Sequence, residues 1–332
     1  MPLSKRRWVA LLLFLLGLIA SGVLRGHVYT ASFAEAETRD HDSTSDLLAM
    51  TPSNISRRAV DANTAELFNW FEFCGFDQHP NERNAVVNAM IGAWVGVQNA
   101  LATLDKDPRN PSFLRYFQPN NVWTVQDNLR AVLAVMGMPQ LEEERKCLGT
   151  IPKLQIWYGD TPAGVVDACK KPVDKQPWGF RDEYQDQSGE RRDFVIFCDI
   201  YYRRYRDIRD VKCTELGTDS TPKGYGKGST WSASMVTLHE LLHWRALTNA
   251  ATGIEIEDQV ITRPDTKEET KCYEPFYSKA LIDWDTKIPP TTNVDNYVSF
   301  VTESFFAFLC PMNRPWEDPA DPGYVFPLSS EQ

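Results

Sequence analysis

Residues Ser232–Leu247 read S-A-S-M-V-T-L-H-E-L-L-H-W-R-A-L, and this stretch decides how the rest of the chain is read. Its apolar positions (Met235, Val236, Leu238, Leu241, Leu242) suit a buried helix, with Ser229, Thr230 or Ser232 available as N-cap. Inside it stands His239-Glu240-Leu241-Leu242-His243, an H-E-x-x-H sequence. Residues four apart lie one turn apart on the same helix face, so both imidazoles can converge on one metal ion. Glu240 follows the first His, so its carboxylate can reach a water on that metal without being a ligand itself. A general base beside a Lewis acid is the arrangement for metal-assisted peptide hydrolysis. Composition alone would produce the pattern roughly 0.004 times in such a chain, so chance is a poor explanation.

A catalytic zinc takes three protein ligands and keeps one position open. The extended H-E-x-x-H-x-x-G-x-x-H form would need Gly at 246 and His at 249, where the chain has Ala246 and Asn249. A downstream N-E-x-x-S-D type of Glu ligand is missing too; Glu268 and Glu269 fall in a charged, loop-like run. An Asp ligand remains.

Two late segments fit that choice. Gly253-Ile254-Glu255-Ile256-Glu257-Asp258 follows the metal helix, and Asn293-Val294-Asp295-Asn296-Tyr297-Val298-Ser299-Phe300-Val301-Thr302-Glu303 opens a late helix. With the metal helix and the apolar strand around Cys198, these resemble the aspzincins, the deuterolysin-like and lysine-specific fungal metalloendopeptidases. The resemblance covers roughly residues 190–310. It implies an α+β fold, a mostly helical zincin-like metallopeptidase domain with a small sheet. It implies one Zn2+ ion held by His239, His243 and Asp258, with Glu240 activating water. Asp265 is the alternative third ligand, closer to Tyr273. Tyr273-Glu274-Pro275 looks like a displaced form of the family's Tyr-Gly, which makes Tyr273 the expected support for the oxyanion. Gly217-Thr218-Asp219 imitates the motif but precedes the metal helix. Asp295 is the expected substrate-binding residue, lining a pocket for a substrate cation. A helix N-terminal residue favoured by the macrodipole is the alternative for it. Val298 stands where the lysine-specific members carry a second acidic residue, so strict lysine preference is not implied.

The ends of the chain suggest export. Lys5, Arg6 and Arg7 precede an uncharged run from Trp8 to Ala20, mostly Leu. At about 13 residues it is short for a bilayer span and suits a signal peptide of residues 1–22, with cleavage as late as 36. Residues 37–58 read as a polar leader or short pro-segment, and 60–332 as the metallopeptidase domain. Seven Cys follow the signal, and an oxidising compartment favours disulfides among them. Asn54-Ile55-Ser56 is the one usable glycosylation sequon. The formal net charge of −10 argues against nucleic acid as a partner, because phosphate binding needs a basic surface. The expectation is a secreted, extracellular, monomeric zinc endopeptidase acting on protein or peptide substrates. Membrane attachment arises only if the N-terminal segment stays uncleaved. The alternative is an exported zinc-binding protein without catalysis that binds a host or cell-wall partner.

Elsewhere the pattern predicts helices over Ala65–Phe73, Glu82–Leu104 and Thr124–Met136, the last capped by Thr124. Lys153–Tyr158 and Asp193–Ile200 read as strands, and the polar residues 159–192 as a long loop. The arginines at 203, 204, 206 and 209, interleaved with Asp207 and Asp210, read as a solvated face.

Overall fold

The structure, a computed structural model, describes residues 70–136, 151–158, 168–172, 175–211, 232–284 and 286–309. All of these fall within one compact unit, Val60–Gln332. The expected signal peptide, leader and sequon and the Gly217-Thr218-Asp219 sequence lie outside the described residues, as do Cys147, Cys213 and Cys310.

Helices dominate, with a small mixed sheet and a separate two-stranded one, which makes the fold α+β. The larger sheet has the order β1-β2-β4-β3, formed by β1 (Phe71–Cys74), β2 (Leu154–Trp157), β3 (Gly179–Gln185) and β4 (Arg191–Phe197). β1, β2 and β4 run parallel, and β3 closes the edge antiparallel to β4. Leu154, Ile156, Val195 and Phe197 point from one face into the core.

Three expectations change here. Phe71–Phe73 are strand, not helix, because Phe71, Glu72 and Phe73 pair in register with Leu154, Gln155 and Ile156. The predicted loop at 159–192 contains β3 and the first residues of β4. β3 is polar because it is an edge strand whose charges pair across the ladder, Arg181 with Asp193 and Glu183 with Arg191. The β4 strand ends at Phe197, so Ile200 belongs to the short helix Asp199–Arg203 that follows.

The long helix α1 (Pro80–Lys106) buries Val86, Met90, Ala93, Val97 and Leu104 completely. It is long and apolar enough to cross a membrane, yet more than half of its apolar window is buried in the protein. α2 (Pro111–Tyr116), capped by Asn110, and α3 (Val122–Val135) pack beside it. Thr124 is not the cap of α3; the helix starts two residues earlier, after Asn121. α4 (Asp199–Arg203) follows β4, and Cys198 at its cap is disulfide-bonded to Cys169. Among the described residues Cys74 and Cys272 are free thiols. The arginine cluster divides: Arg203 and Arg204 are exposed, while Arg209 binds the buried carboxylate of Asp207.

The metal-motif helix α5 (Ala233–Leu242) is buried along its whole length. Ser232 is its N-cap, accepting a bond from the Met235 N–H at 3.2 Å. Small residues on α1 let α5 approach. A Cβ at Gly92 would stand 2.2 Å from Ser234 Oγ, and one at Gly96 would stand 3.4 Å from Met235 Cε. The predicted helix to Leu247 is interrupted at Trp244, whose ψ of 97° breaks it. A second helix, α6 (Arg245–Thr252), continues and ends at Gly253, which turns the chain with φ +68°. The hairpin β5 (Val260–Thr262) and β6 (Glu269–Lys271), then α7 (Glu274–Asp283) and α8 (Val294–Leu309), complete the fold.

Candidate metal centre

α5 carries His239 and, at its C-cap, His243. The Gly253 turn sends Ile254–Asp258 back beneath the two rings. His243 Nδ1 lies 3.0 Å from the Ile256 carbonyl oxygen, which can only accept, so Nδ1 donates. His239 Nδ1 lies 2.8 Å from Asp295 Oδ1, also an acceptor. With both Nδ1 atoms carrying their protons outward, each Nε2 turns a lone pair inward.

Asp258 Oδ1 completes the set. It lies 3.2 Å from His243 Nε2 and 3.3 Å from His239 Nε2, and the two Nε2 atoms are 3.2 Å apart. Ligands at ~2.0–2.1 Å around a tetrahedral centre sit about 3.3–3.4 Å from one another. The triangle therefore has the dimensions of three corners of that tetrahedron. Three acceptor atoms this close repel one another unless a positive charge lies among them. Burial works against a charged His239, but the bonds to Asp258 and Asp295 prevail and hold its pKa well above the usual imidazole range. Burial likewise opposes ionisation of Asp258, yet the two imidazoles hold its carboxyl far below the usual range. Acceptor atoms brought this close in a buried site suit a divalent cation.

The polar segment at the start of α8 builds the surroundings. Asn293 Oδ1 accepts from the Gln259 N–H at 3.1 Å, and its Nδ2 donates to the Cys272 carbonyl at 3.2 Å. Glu257 bonds through its N–H to Thr292 O at 2.9 Å and through its carbonyl to the Val294 N–H at 3.2 Å. The residues on both sides of Asp258 are thus tied to one short stretch of chain. Asn296 anchors that stretch to the Tyr116 and Ser278 carbonyls at 2.6 and 3.1 Å.

Comparison with known proteins adds nothing to this geometry. No protein-family model, curated protein or solved structure matches the chain.

Glu240 is buried at the site, and burial lifts its carboxyl above the usual range while His239 and His243 oppose the shift. Its carboxylate lies against the edge strand; a Cβ at Gly179 would stand 3.2 Å from its Oε1.

The structure brings the six expected site residues together. His239, His243 and Asp258 form the group, with Glu240 beside them. Tyr273 is also present, but its hydroxyl donates to Asp258 Oδ2 at 2.5 Å, so its proton is already engaged. Asp295 does not line a pocket for a substrate cation: it is 1% exposed and committed to His239. It does sit in the first turn of α8, as the alternative reading placed it. Asp265 is exposed in the β5–β6 turn and paired with Arg263, which removes it as the alternative ligand. Lys271, Gly179 and the Ile256 carbonyl carry no sequence signal of their own. Asn293 and Asn296 were visible only as letters of the family-like segment.

Proposed function

We propose that the protein is a metal-dependent endopeptidase of the aspzincin type, exported through its N-terminal segment and acting on protein or peptide substrates. The supporting observation is the inward-facing triangle of His239, His243 and Asp258 with a buried carboxylate, Glu240, on the same helix turn. The donor set of two imidazoles and one carboxylate suits Zn2+, and the zincin-like reading of the fold follows from it. A bound zinc ion would supply Lewis acidity to the scissile carbonyl and lower the pKa of water in the open position.

The protein's own groups do the rest. Asp295 and the Ile256 carbonyl hold the imidazoles in the tautomer that faces inward. Glu240, its proton affinity raised by burial, takes a proton from the attacking water and returns it to the leaving amine. Tyr273, once released from Asp258, stands where it can donate to the oxygen that becomes negative.

The test is hydrolysis of casein by the secreted protein with and without a chelator, beside a Glu240→Gln variant. Activity is expected to vanish on metal removal and to return with zinc. The variant is expected to bind the metal yet fall by at least about 100-fold in kcat. A parent that binds zinc but never cleaves would point instead to a non-catalytic zinc-binding protein. Activity that survives the chelator, or an unimpaired Glu240→Gln variant, would overturn the proposal.

A further inference from the structure

The two oxygens of Asp258 face different neighbours. Oδ1 closes the triangle with the imidazoles. Oδ2 accepts from the Tyr273 hydroxyl at 2.5 Å and from Lys271 Nζ at 3.3 Å. Lys271 Nζ also donates to the Tyr273 oxygen at 2.7 Å and lies 4.8 Å from the centre of its ring. Both side chains come from one extended stretch, two residues apart, so they leave the backbone on the same side. The hairpin register sets Lys271 opposite Val260, which brings it to Asp258.

A carboxylate can hold a divalent cation through one oxygen or through both. A hydrolytic site needs its fourth position open, and the second oxygen of the carboxylate is the nearest donor able to fill it. Two hydrogen bonds on Oδ2 turn that oxygen away. Lys271 is a telling part of the arrangement. An ammonium so close to a metal site repels the cation, so a site built only to retain metal has no use for it. Its side chain is 55% exposed, so it is not there to fill the core.

We propose that Lys271 and Tyr273 form a clamp on Oδ2 that keeps Asp258 a one-oxygen ligand and so preserves the coordination position used by water and substrate. The inference rests on the metal reading of His239, His243 and Asp258. In this arrangement Lys271 is a positioning residue and not a catalytic one. It also gives Tyr273 a first task before any contact with the oxyanion.

Cobalt(II) is the probe, because its visible absorption weakens when four-coordination gives way to five. Binding and spectra are measured for the parent, Lys271→Arg, Lys271→Met and the Lys271→Met/Tyr273→Phe double variant. The double variant is expected to bind cobalt about tenfold more tightly, opposite in sign to the ~10–100-fold weakening that loss of ordinary supporting groups causes. Its absorption is expected to fall. Lys271→Met, at an exposed position that does not threaten folding, should move the same way by less, and Lys271→Arg should keep the parent spectrum. Unchanged absorption in both Met-containing variants, or weaker cobalt binding, would overturn the clamp while leaving the metal site standing. A parent that binds no cobalt would remove the metal reading and the clamp with it.

Discussion

Asp295 Oδ1 lies 2.8 Å from His239 Nδ1, with both side chains buried and 56 positions apart in the chain. This contact fixes the ring orientation and the tautomer of the first imidazole. Replacing Asp295 with Ala removes the acceptor and lets the ring rotate. Zinc affinity is expected to fall by about 10–100-fold, as read by competition with a chromophoric chelator. Metal affinity equal to the parent would show that the carboxylate does not support the site.

Asp258 and Asp265 are separated by the same test of metal-linked stability. A ligand that binds only the folded state stabilises it by about 2.7 kcal/mol at 100 times its Kd. Zinc should therefore raise the Tm of the parent and of Asp265→Ala, whose carboxylate pairs with Arg263 on the surface. Asp258→Ala should lose most of the rise. A full zinc response in Asp258→Ala would exclude it as the third ligand.

Glu303 gives the fold a pH dependence away from the candidate metal site. Its carboxyl is completely buried on α8, 3.2 Å from Arg115 Nε, and burial pushes its pKa up to about 7 against the pull of Arg115. A carboxyl with a higher pKa folded than unfolded contributes stability in acid, where both states are protonated, and loses it as pH rises through the folded value. Urea unfolding should show the parent falling relative to Glu303→Gln by on the order of 3 kcal/mol between pH 5 and pH 9. The two proteins should match near pH 5. A difference that does not change with pH would mean that Glu303 titrates normally.

What could be read from the chain depended on how local the cause was. The imidazole pair is a property of one helical turn, so His239, Glu240 and His243 were visible from spacing alone. Asp258 is legible through the family-like segment after Gly253, and the turn at Gly253 lets its Oδ1 come within 3.3 Å of both imidazoles. The rest depended on distant partners. Asp295 looked like a substrate contact because nothing near it in sequence reveals His239. β3 reads as a loop because Arg181 and Glu183 find their closest partners, Asp193 and Arg191, on a neighbouring strand that no local pattern supplies. Phe71–Phe73 took a strand from their pairing with β2, which no local pattern announces. Lys271 sits in a charged hairpin and gains meaning only once Tyr273 and Asp258 lie beside it.

Gly179 tests how closely Glu240 is packed. It begins the edge strand β3, and a methyl group there would stand 3.0 Å from Phe197 Cδ1 and 3.2 Å from both Cγ and Oε1 of Glu240. The Phe197 ring is buried in the core and has little room to retreat. Overpacking of this kind costs about 1–3 kcal/mol, and the softer neighbour, the Glu240 side chain, yields first. If Glu240 acts as the proposed base, Gly179→Ala is expected to reduce kcat by about tenfold or more, because a displacement of a fraction of an ångström is enough to spoil its alignment with the water. Zinc affinity should stay within about twofold, since none of the three ligands touches the new methyl group. Loss of zinc together with activity would instead mean that the substitution disturbs α5 as a whole, and the close approach of Gly179 to Glu240 would then carry no catalytic meaning.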